Sequence, residues 1–344
     1  MAFFITMTAQ TGVLLVNLGT PDSPKVGDVR RYLTQFLNDP RVIDIPWLLR
    51  KLLVNLIIVP FRASKSSTIY HQVWTNEGSP LLIYSKALRD EVQKDLGEDQ
   101  VHVELAMRYQ NPGLDEVLER MRKRNFKKII VVPLYPQYAS SSTGSTLQRV
   151  MEIIKNWYVI PELSIVSQFY DNESYLEAVV EQGKKYRLED YDHVLFSYHG
   201  LPERQVDKVY EEGLCTDRDC EHEITRENQF CYKATCYATT RALVDRLGIP
   251  EDKHTVCFQS RLDQKWIKPF SDEVVAELAK EGKKNILVFS PAFVADCLET
   301  IVEIGHEYQE IFEEHGGEKV QLVSSLNASP KWVKALSDLI REKI

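Results

Sequence analysis

The feature that most narrows the fold is a set of short apolar runs with no polar alternation. Residues 12–18 (GVLLVNL) are apolar but for one asparagine. That marks a strand buried on both faces, not half of an antiparallel sheet. The run stops at Gly19-Thr20-Pro21, a turn without the GxGxxG spacing of a dinucleotide loop, so no nucleotide site is assigned. Similar runs recur at 101–107, 128–134 and 163–169. Between them lie helical stretches: one from about Pro24, then 81–96 and 114–124, and one capped by Thr143 or Ser145 that runs to about Trp157. The scheme repeats at 194–197, 255–259, 285–289 and 320–324, and a last helix occupies 330–344. This alternation predicts an α/β protein of two similar doubly wound parallel-sheet, Rossmann-like domains with a cleft between them. The expected domains are 11–170, joined by the helix 330–344, and 171–329. A chain of 344 residues suits two such cores.

The net charge of −8 and pI of about 5.6 argue against a nucleic-acid partner. Residues 1–10 have no basic start, and no window reaches the ~18 apolar residues of a membrane span. A cytosolic address follows as an expectation, and there six cysteines read as thiols or metal ligands. Residues 45–59 (IPWLLRKLLVNLIIV) are apolar nearly all round. They form either a core helix or a greasy lip that holds an apolar ligand or rests on a bilayer. Trp47, with Arg50 and Lys51 among the apolar residues, suits the lip. Nothing in the sequence sets an oligomeric state.

Two places carry acid–base chemistry. The run 285–289 ends at Ser290-Pro291, and an apolar helix follows it. On that helix Asp296, Glu299, Glu303 and Glu307 fall at i, i+3, i+7 and i+11, a single stripe. Most such stripes are solvated faces. This one begins at a strand's C-terminal end, where open α/β sheets bind ligands. It suits the handling of protons or of a hard-to-borderline cation. His199 follows the run 194–197 closely and precedes Gly200 and Pro202. A lone histidine is more often structural, but at a strand end a neutral imidazole can accept a proton or bind a transition metal.

The segment 213–237 is a cysteine-bearing insert, Cys215-x4-Cys220-x10-Cys231-x4-Cys236. Three readings stay open: scattered thiols, a structural zinc site, or a [2Fe–2S] cluster, which takes four thiolates.

Six motifs together resemble the ferrochelatase family. They are NLGTP (17–21), MRYQNP (107–112), YPQYASSSTG (135–144), SYHGLPER (197–204), FQSR (258–261) and SPAFVADCLET (290–300). The resemblance implies a chelatase-type pair of domains that inserts Fe(II), a substrate, into a porphyrin, with release of two protons, in heme biosynthesis. Protoporphyrin IX is the expected ring, and coproporphyrin stays open. By the same resemblance His199 is the active-site histidine and Glu299 its paired carboxylate, both near the substrate iron. Asp296, Glu303 and Glu307 continue the polar route. Arg62, Ser79 and Arg108 contact porphyrin carboxylates or frame the pocket, and Leu18, Tyr70, Tyr109, Trp266 and Phe293 wall it. The lip 45–59 matches a segment that opens toward the membrane in some members, which implies peripheral contact at the inner face. Some members carry a [2Fe–2S] cluster on internal cysteines that this insert resembles. Others use a cysteine in the PQY loop, where this chain has Ser140, and some have histidine at the place of Cys297. Two further readings remain: a chelatase for another tetrapyrrole with cobalt or nickel, and a non-catalytic tetrapyrrole-binding protein.

Overall fold

The computed structural model describes residues 10–99, 101–215 and 218–344. Among the described residues there are eight strands: β1 (Thr11–Gly19), β2 (Val101–Tyr109), β3 (Lys128–Pro133), β4 (Glu162–Ile165), β5 (His193–His199), β6 (His254–Gln259), β7 (Asn285–Phe289) and β8 (Lys319–Leu322). They form two parallel four-stranded sheets, ordered β2-β1-β3-β4 and β6-β5-β7-β8. The helices are α1 (Val26–Leu37), α2 (Trp47–Leu52), α3 (Val59–Val73), α4 (Pro80–Leu96), α5 (Leu114–Arg124), α6 (Ser145–Ile154), α7 (Glu173–Gly183), α8 (Glu203–Asp207), α9 (Tyr232–Leu247), α10 (Ser271–Lys280), α11 (Tyr308–Glu314) and α12 (Pro330–Arg341). The two α/β sheets expected from the apolar runs are thus present. Val13 to Val16 of β1 have no exposed surface, as a strand covered on both faces requires. The edge strands β4 and β8 are four residues each, shorter than their apolar runs suggested.

Local chemistry explains the helices. In α5, Asp115 and Glu116 occupy the first turn and Arg122, Lys123 and Arg124 the last, each end opposing the helix dipole. Asn125 then stops the helix in the left-handed conformation (φ 56°). The buried face of α5, Val117, Leu118 and Met121, packs with Leu14, Ile129 and Val131 of the sheet. In the second sheet Leu195, Ile286 and Val288 pack with Val275, Tyr308 and Phe312. Each fully buried side chain of this kind contributes ~1.5–3 kcal/mol.

Two compact units result. One is the chain up to Leu134 with Ser140–Gln168 and Ala328–Ile344; the other is Tyr135–Ala139 with Phe169–Asn327. The sequence expectation ran the first domain unbroken through 11–170. The structure instead gives Tyr135–Ala139 to the second unit, where Gln137 Nε2 donates to Thr239 Oγ1 (2.9 Å) and the Pro136 carbonyl accepts from the Phe169 N–H (2.9 Å).

The lip is not a core helix. α2, a π-helical stretch (Leu53–Ile58) and α3 follow one another without a break. Trp47, Leu48, Leu49, Leu52, Leu56, Ile57 and Phe61 are exposed, Phe61 at 81%. Arg50 corrects the expectation of a basic flank at that position. It is buried, and its Nη1 donates to the Ile43 and Ile45 carbonyls (3.3 and 3.0 Å). Among the described residues no helix is long and apolar enough to cross a membrane.

Candidate active site

His199 is the last residue of β5 and pairs in register with Gln259, the last of β6. Its Nδ1 lies 2.7 Å from the Gly200 carbonyl oxygen. A carbonyl only accepts, so Nδ1 carries the proton and Nε2 keeps its lone pair in the neutral ring. Trp266 and Phe293 flank the imidazole, with ring centroids at 6.4 and 6.5 Å. Gly200 is required here by close approach: a Cβ would lie 2.8 Å from the Gln259 carbonyl oxygen, which accepts the Gly200 N–H at 2.8 Å.

The acid stripe stands on a π-helix, Glu299–Glu307, and not on an α-helix. With i→i+5 bonding, residues four apart fall just short of a full turn, so Glu299, Glu303 and Glu307 still share one side. Glu299 and Glu303 are half-buried and Glu307 is exposed. The Glu299 carboxylate is hydrogen-bonded to the buried Cys297 thiol, whose pKa burial, and then this carboxylate, push well up. Glu303 accepts from the Ser260 N–H (2.7 Å), from the Ser260 hydroxyl and from Gln259 Nε2 (3.3 Å). Burial raises the Glu303 pKa; the Ser260 hydrogen bonds and the nearby His199 oppose that rise.

Asp296 does not belong to the stripe, which corrects the spacing argument. It precedes the helix, and its buried carboxylate accepts from Asn327 Nδ2 (2.8 Å), the Ser325 N–H (3.1 Å) and Thr300 Oγ1 (3.2 Å). These bonds tie the loop after β8 to the start of the acid helix and leave Asp296 a structural task.

In the first unit Arg108 and Tyr109 end β2. Arg108 gives Nη2 to Asp39 and Nε to Ser145 Oγ (2.7 Å). The Tyr109 hydroxyl donates to the same Asp39 oxygen (2.9 Å). Tyr109 has no exposed surface, so the expectation of a pocket wall is corrected: its ring lies under Phe36, 5.2 Å between centroids. Ser79 is buried and accepts from Thr20 Oγ1 (2.9 Å). Tyr70 is nearly buried, edge-on to Tyr32 and Trp74 (6.3 Å each). Leu18 is half-buried and Arg62 exposed.

All four insert cysteines are buried. The Cys215 thiol hydrogen-bonds Cys220 and Cys231, which pushes its own pKa up. Cys231 is held down to about 6, first by that bond and also by the Lys233 and Ala234 N–H groups at the start of α9. Cys236 lies inside α9, where burial pushes its thiol well up. Low-pKa thiols such as Cys231 suit iron–sulfur or zinc chemistry; Cys236 hydrogen-bonds Tyr232 and feels the charge of Cys231. Among the described residues no group of three or more His, Cys, Asp or Glu is arranged to hold a metal ion.

Sequence reasoning gave no role to Asp39, Ser197, Gln259 or Ser260, and gave Ser145 only that of a candidate helix cap, whereas it is the first residue of α6. FQSR is one of the family motifs, and its place at the end of β6 is the signal that could have led to the Glu303 clamp.

The two sheets, each with its strand ends carrying polar groups, define a chelatase-type fold. The structure titled SirB from Bacillus subtilis with Fe3+ superposes with a TM-score of 0.56, covering 97% of this chain and 95% of that one, at 14% identity. The ferrochelatase profile matches residues 10–344, and the chain belongs to the ferrochelatase family. A protein named ferrochelatase from Coxiella burnetii (strain Dugway 5J108-111) is 41% identical over 97% of this chain and 94% of its own length. One from Pseudomonas syringae pv. tomato is 44% identical over 95% of this chain and 96% of its own.

Proposed function

We propose that this chain is a ferrochelatase, a lyase that inserts Fe(II) into a porphyrin, protoporphyrin IX being the preferred ring, with release of two protons in heme biosynthesis. The family membership supports the reaction class. The carrying observation at the site is the fixed tautomer of His199 beside the clamped carboxylate of Glu303. Insertion requires the ion to shed water and two pyrrole nitrogens to lose protons. His199 Nε2 is the base for a pyrrole proton or the ligand that hands over iron. Glu299, Glu303 and Glu307 grade from half-buried to exposed and give protons or hydrated cations a polar route. Trp266 and Phe293 offer aromatic faces to the macrocycle. The hydrogen bonds of Arg108 use Nε and Nη2, and Nη1 is assigned to a propionate. Exposed Arg62 is a second propionate partner.

The test is an anaerobic insertion assay with ferrous iron and each of protoporphyrin and coproporphyrin. His199→Ala is expected to bind porphyrin and to lose insertion by ~100-fold or more. Turnover at the wild-type rate overturns the assignment. Faster insertion of cobalt or nickel into a different tetrapyrrole favours a related chelatase.

The exposed lip reads as a peripheral membrane contact, supported by seven exposed apolar side chains between Trp47 and Phe61. Sedimentation with lipid vesicles tests it. The cysteine insert reads as a [2Fe–2S] site, with structural zinc as the alternative; four buried cysteines within 22 residues support a thiolate-bound group, although the described residues are not arranged to hold one. Such a cluster supplies one-electron redox capacity when bound. A brown protein with iron and sulfide in cluster ratio is expected, and a colourless protein carrying zinc reverses the order.

A further inference from the structure

We propose that Ser260 is a positioning residue for iron insertion: it holds Glu303 in register with His199, and Ser197 fixes the supporting amide of Gln259. This rests on the ferrochelatase reading of the same site.

The geometry is over-determined. Ser260 has φ 62°, a left-handed conformation that non-glycine residues adopt at a cost of ~1–2 kcal/mol. That turn directs its N–H and its hydroxyl onto the two oxygens of one carboxylate, Glu303 Oε1 and Oε2. The third donor, Gln259 Nε2, faces Glu303 only in one orientation of its amide. Ser197 Oγ sets that orientation by donating to Gln259 Oε1 (2.8 Å), and Ser271 Oγ stands 3.0 Å behind Ser197. All of this is anchored to β5. The Gly200 N–H is bonded to the Gln259 carbonyl, and no side chain at residue 200 would fit against that oxygen. The end of β6 therefore cannot shift without moving the His199–Gly200 backbone. Ser260 carries the spacing between the histidine and the acid.

A mere helix tie predicts something different, and two substitutions separate the cases. Ser260→Ala removes the hydroxyl and keeps the strained φ. Ser260→Gly removes the hydroxyl, keeps the N–H and suits a positive φ. For a positioning hydroxyl, both lower kcat for ferrous insertion by about 10-fold or more, with KM for porphyrin unchanged, whichever has the higher Tm. Should Ser260→Ala fail to fold, Ser260→Gly decides alone. The proposal is overturned if either folded variant keeps wild-type kcat, if loss of kcat follows loss of Tm, or if KM alone rises. Wild-type protein is assayed in parallel for porphyrin binding by fluorescence quenching and for insertion. If it binds but does not insert iron, the ferrochelatase reading has failed, a result distinct from unaltered kcat in the variants.

Discussion

At the end of β1, Gly19 sits against the Tyr109 carbonyl; at the end of β5, Gly200 sits against the Gln259 carbonyl. The residue just beyond β2, Gln110, and the one just beyond β6, Ser260, are both left-handed, with φ 64° and 62°. The Met107 N–H returns to the Pro112 carbonyl (2.7 Å) and the Phe258 N–H to the Pro269 carbonyl (2.8 Å). Register matches Met107 with Asn17 and Phe258 with Tyr198. Counted from those pairs Leu18 stands in the first unit where His199 stands in the second, while the left-handed residue comes three residues after Met107 but two after Phe258. Each unit also delivers a carboxylate to its second strand's end. Asp39 takes Arg108, Tyr109, the Ser145 hydroxyl (2.6 Å) and the Arg41 N–H (2.8 Å), and it is buried. Glu303 takes only neutral donors and faces His199. One backbone frame thus carries a structural anchor in one unit and a reactive pair in the other. The difference lies in whether a cation saturates the carboxylate and whether leucine or histidine precedes the glycine that meets the neighbouring strand's carbonyl.

The glycines give the largest expected effect. In Gly19→Ala the new Cβ lies 1.9 Å from a backbone oxygen at φ 109°, so clash and conformational strain add. A loss of roughly 3–6 kcal/mol is expected. In Gly200→Ala the Cβ is 2.8 Å from the Gln259 oxygen and 3.2 Å from Trp266 Cε3, for about 1–3 kcal/mol. Urea unfolding ranks the two. The comparison sharpens if Gly200→Ala, though more stable than Gly19→Ala, loses the greater share of insertion activity among molecules that remain folded. It breaks if activity simply follows stability.

The carboxylates come next. Asp39→Asn leaves the Arg108 guanidinium, with only 14% of its side chain exposed, without its counter-ion. Removal of one partner of a buried pair costs about 3–5 kcal/mol; the lower end is expected here because Ser145 still accepts from Arg108 Nε. Glu303→Gln should change stability by less than ~1 kcal/mol, since burial already penalises its charge, and should abolish most turnover. Equal stability losses in the two variants would erase the distinction between anchor and working acid.

How much of this the sequence revealed depends on the length scale of the cause. The sheets were legible because burial on both faces leaves an unbroken apolar run, as in 12–18. His199 and the Glu299–Glu303–Glu307 spacing were legible because strand ends and helix faces are local. The π register of 299–307 was not, because four-residue spacing fits both helix types. Asp296 was misplaced because its partners Ser325 and Asn327 lie about thirty residues further on, and no periodicity reports a loop closing onto a helix start. Asp39 was invisible for the same reason: its partner Arg108 is 69 residues away. Tyr109 is a pocket wall only by the family resemblance, and neither that match nor its place at a strand end says whether the hydroxyl meets a ligand or a buried carboxylate.

The smallest expected effect is a difference in acid sensitivity between the units. In the first, burial would raise Glu104, but hydrogen bonds from His102 (3.2 Å) and Arg120 (3.0 Å) outweigh it and hold the carboxyl at about 2. In the second, burial, aided by Lys283 and His254, holds His193 at about 4 from its usual 6.5. Both folded pKa values lie below the unfolded ones, so each group stabilises the native state fully above its unfolded pKa and loses that contribution as pH falls. For His193 the loss spans about 6.5 to 4, because the native ring must charge where Nε2 is bonded to Thr255 Oγ1 (2.9 Å) and buried Nδ1 has no partner among the described residues. For Glu104 it spans about 4.5 to 2. Acid should therefore weaken the second unit first. Unfolding free energies of wild type, His193→Asn and Glu104→Gln across these windows test the order. Wild type should lose stability relative to His193→Asn in the upper window and relative to Glu104→Gln only in the lower one. A reversed order would mean that the buried carboxylates of the first unit, and not the histidine that begins β5, set its acid limit.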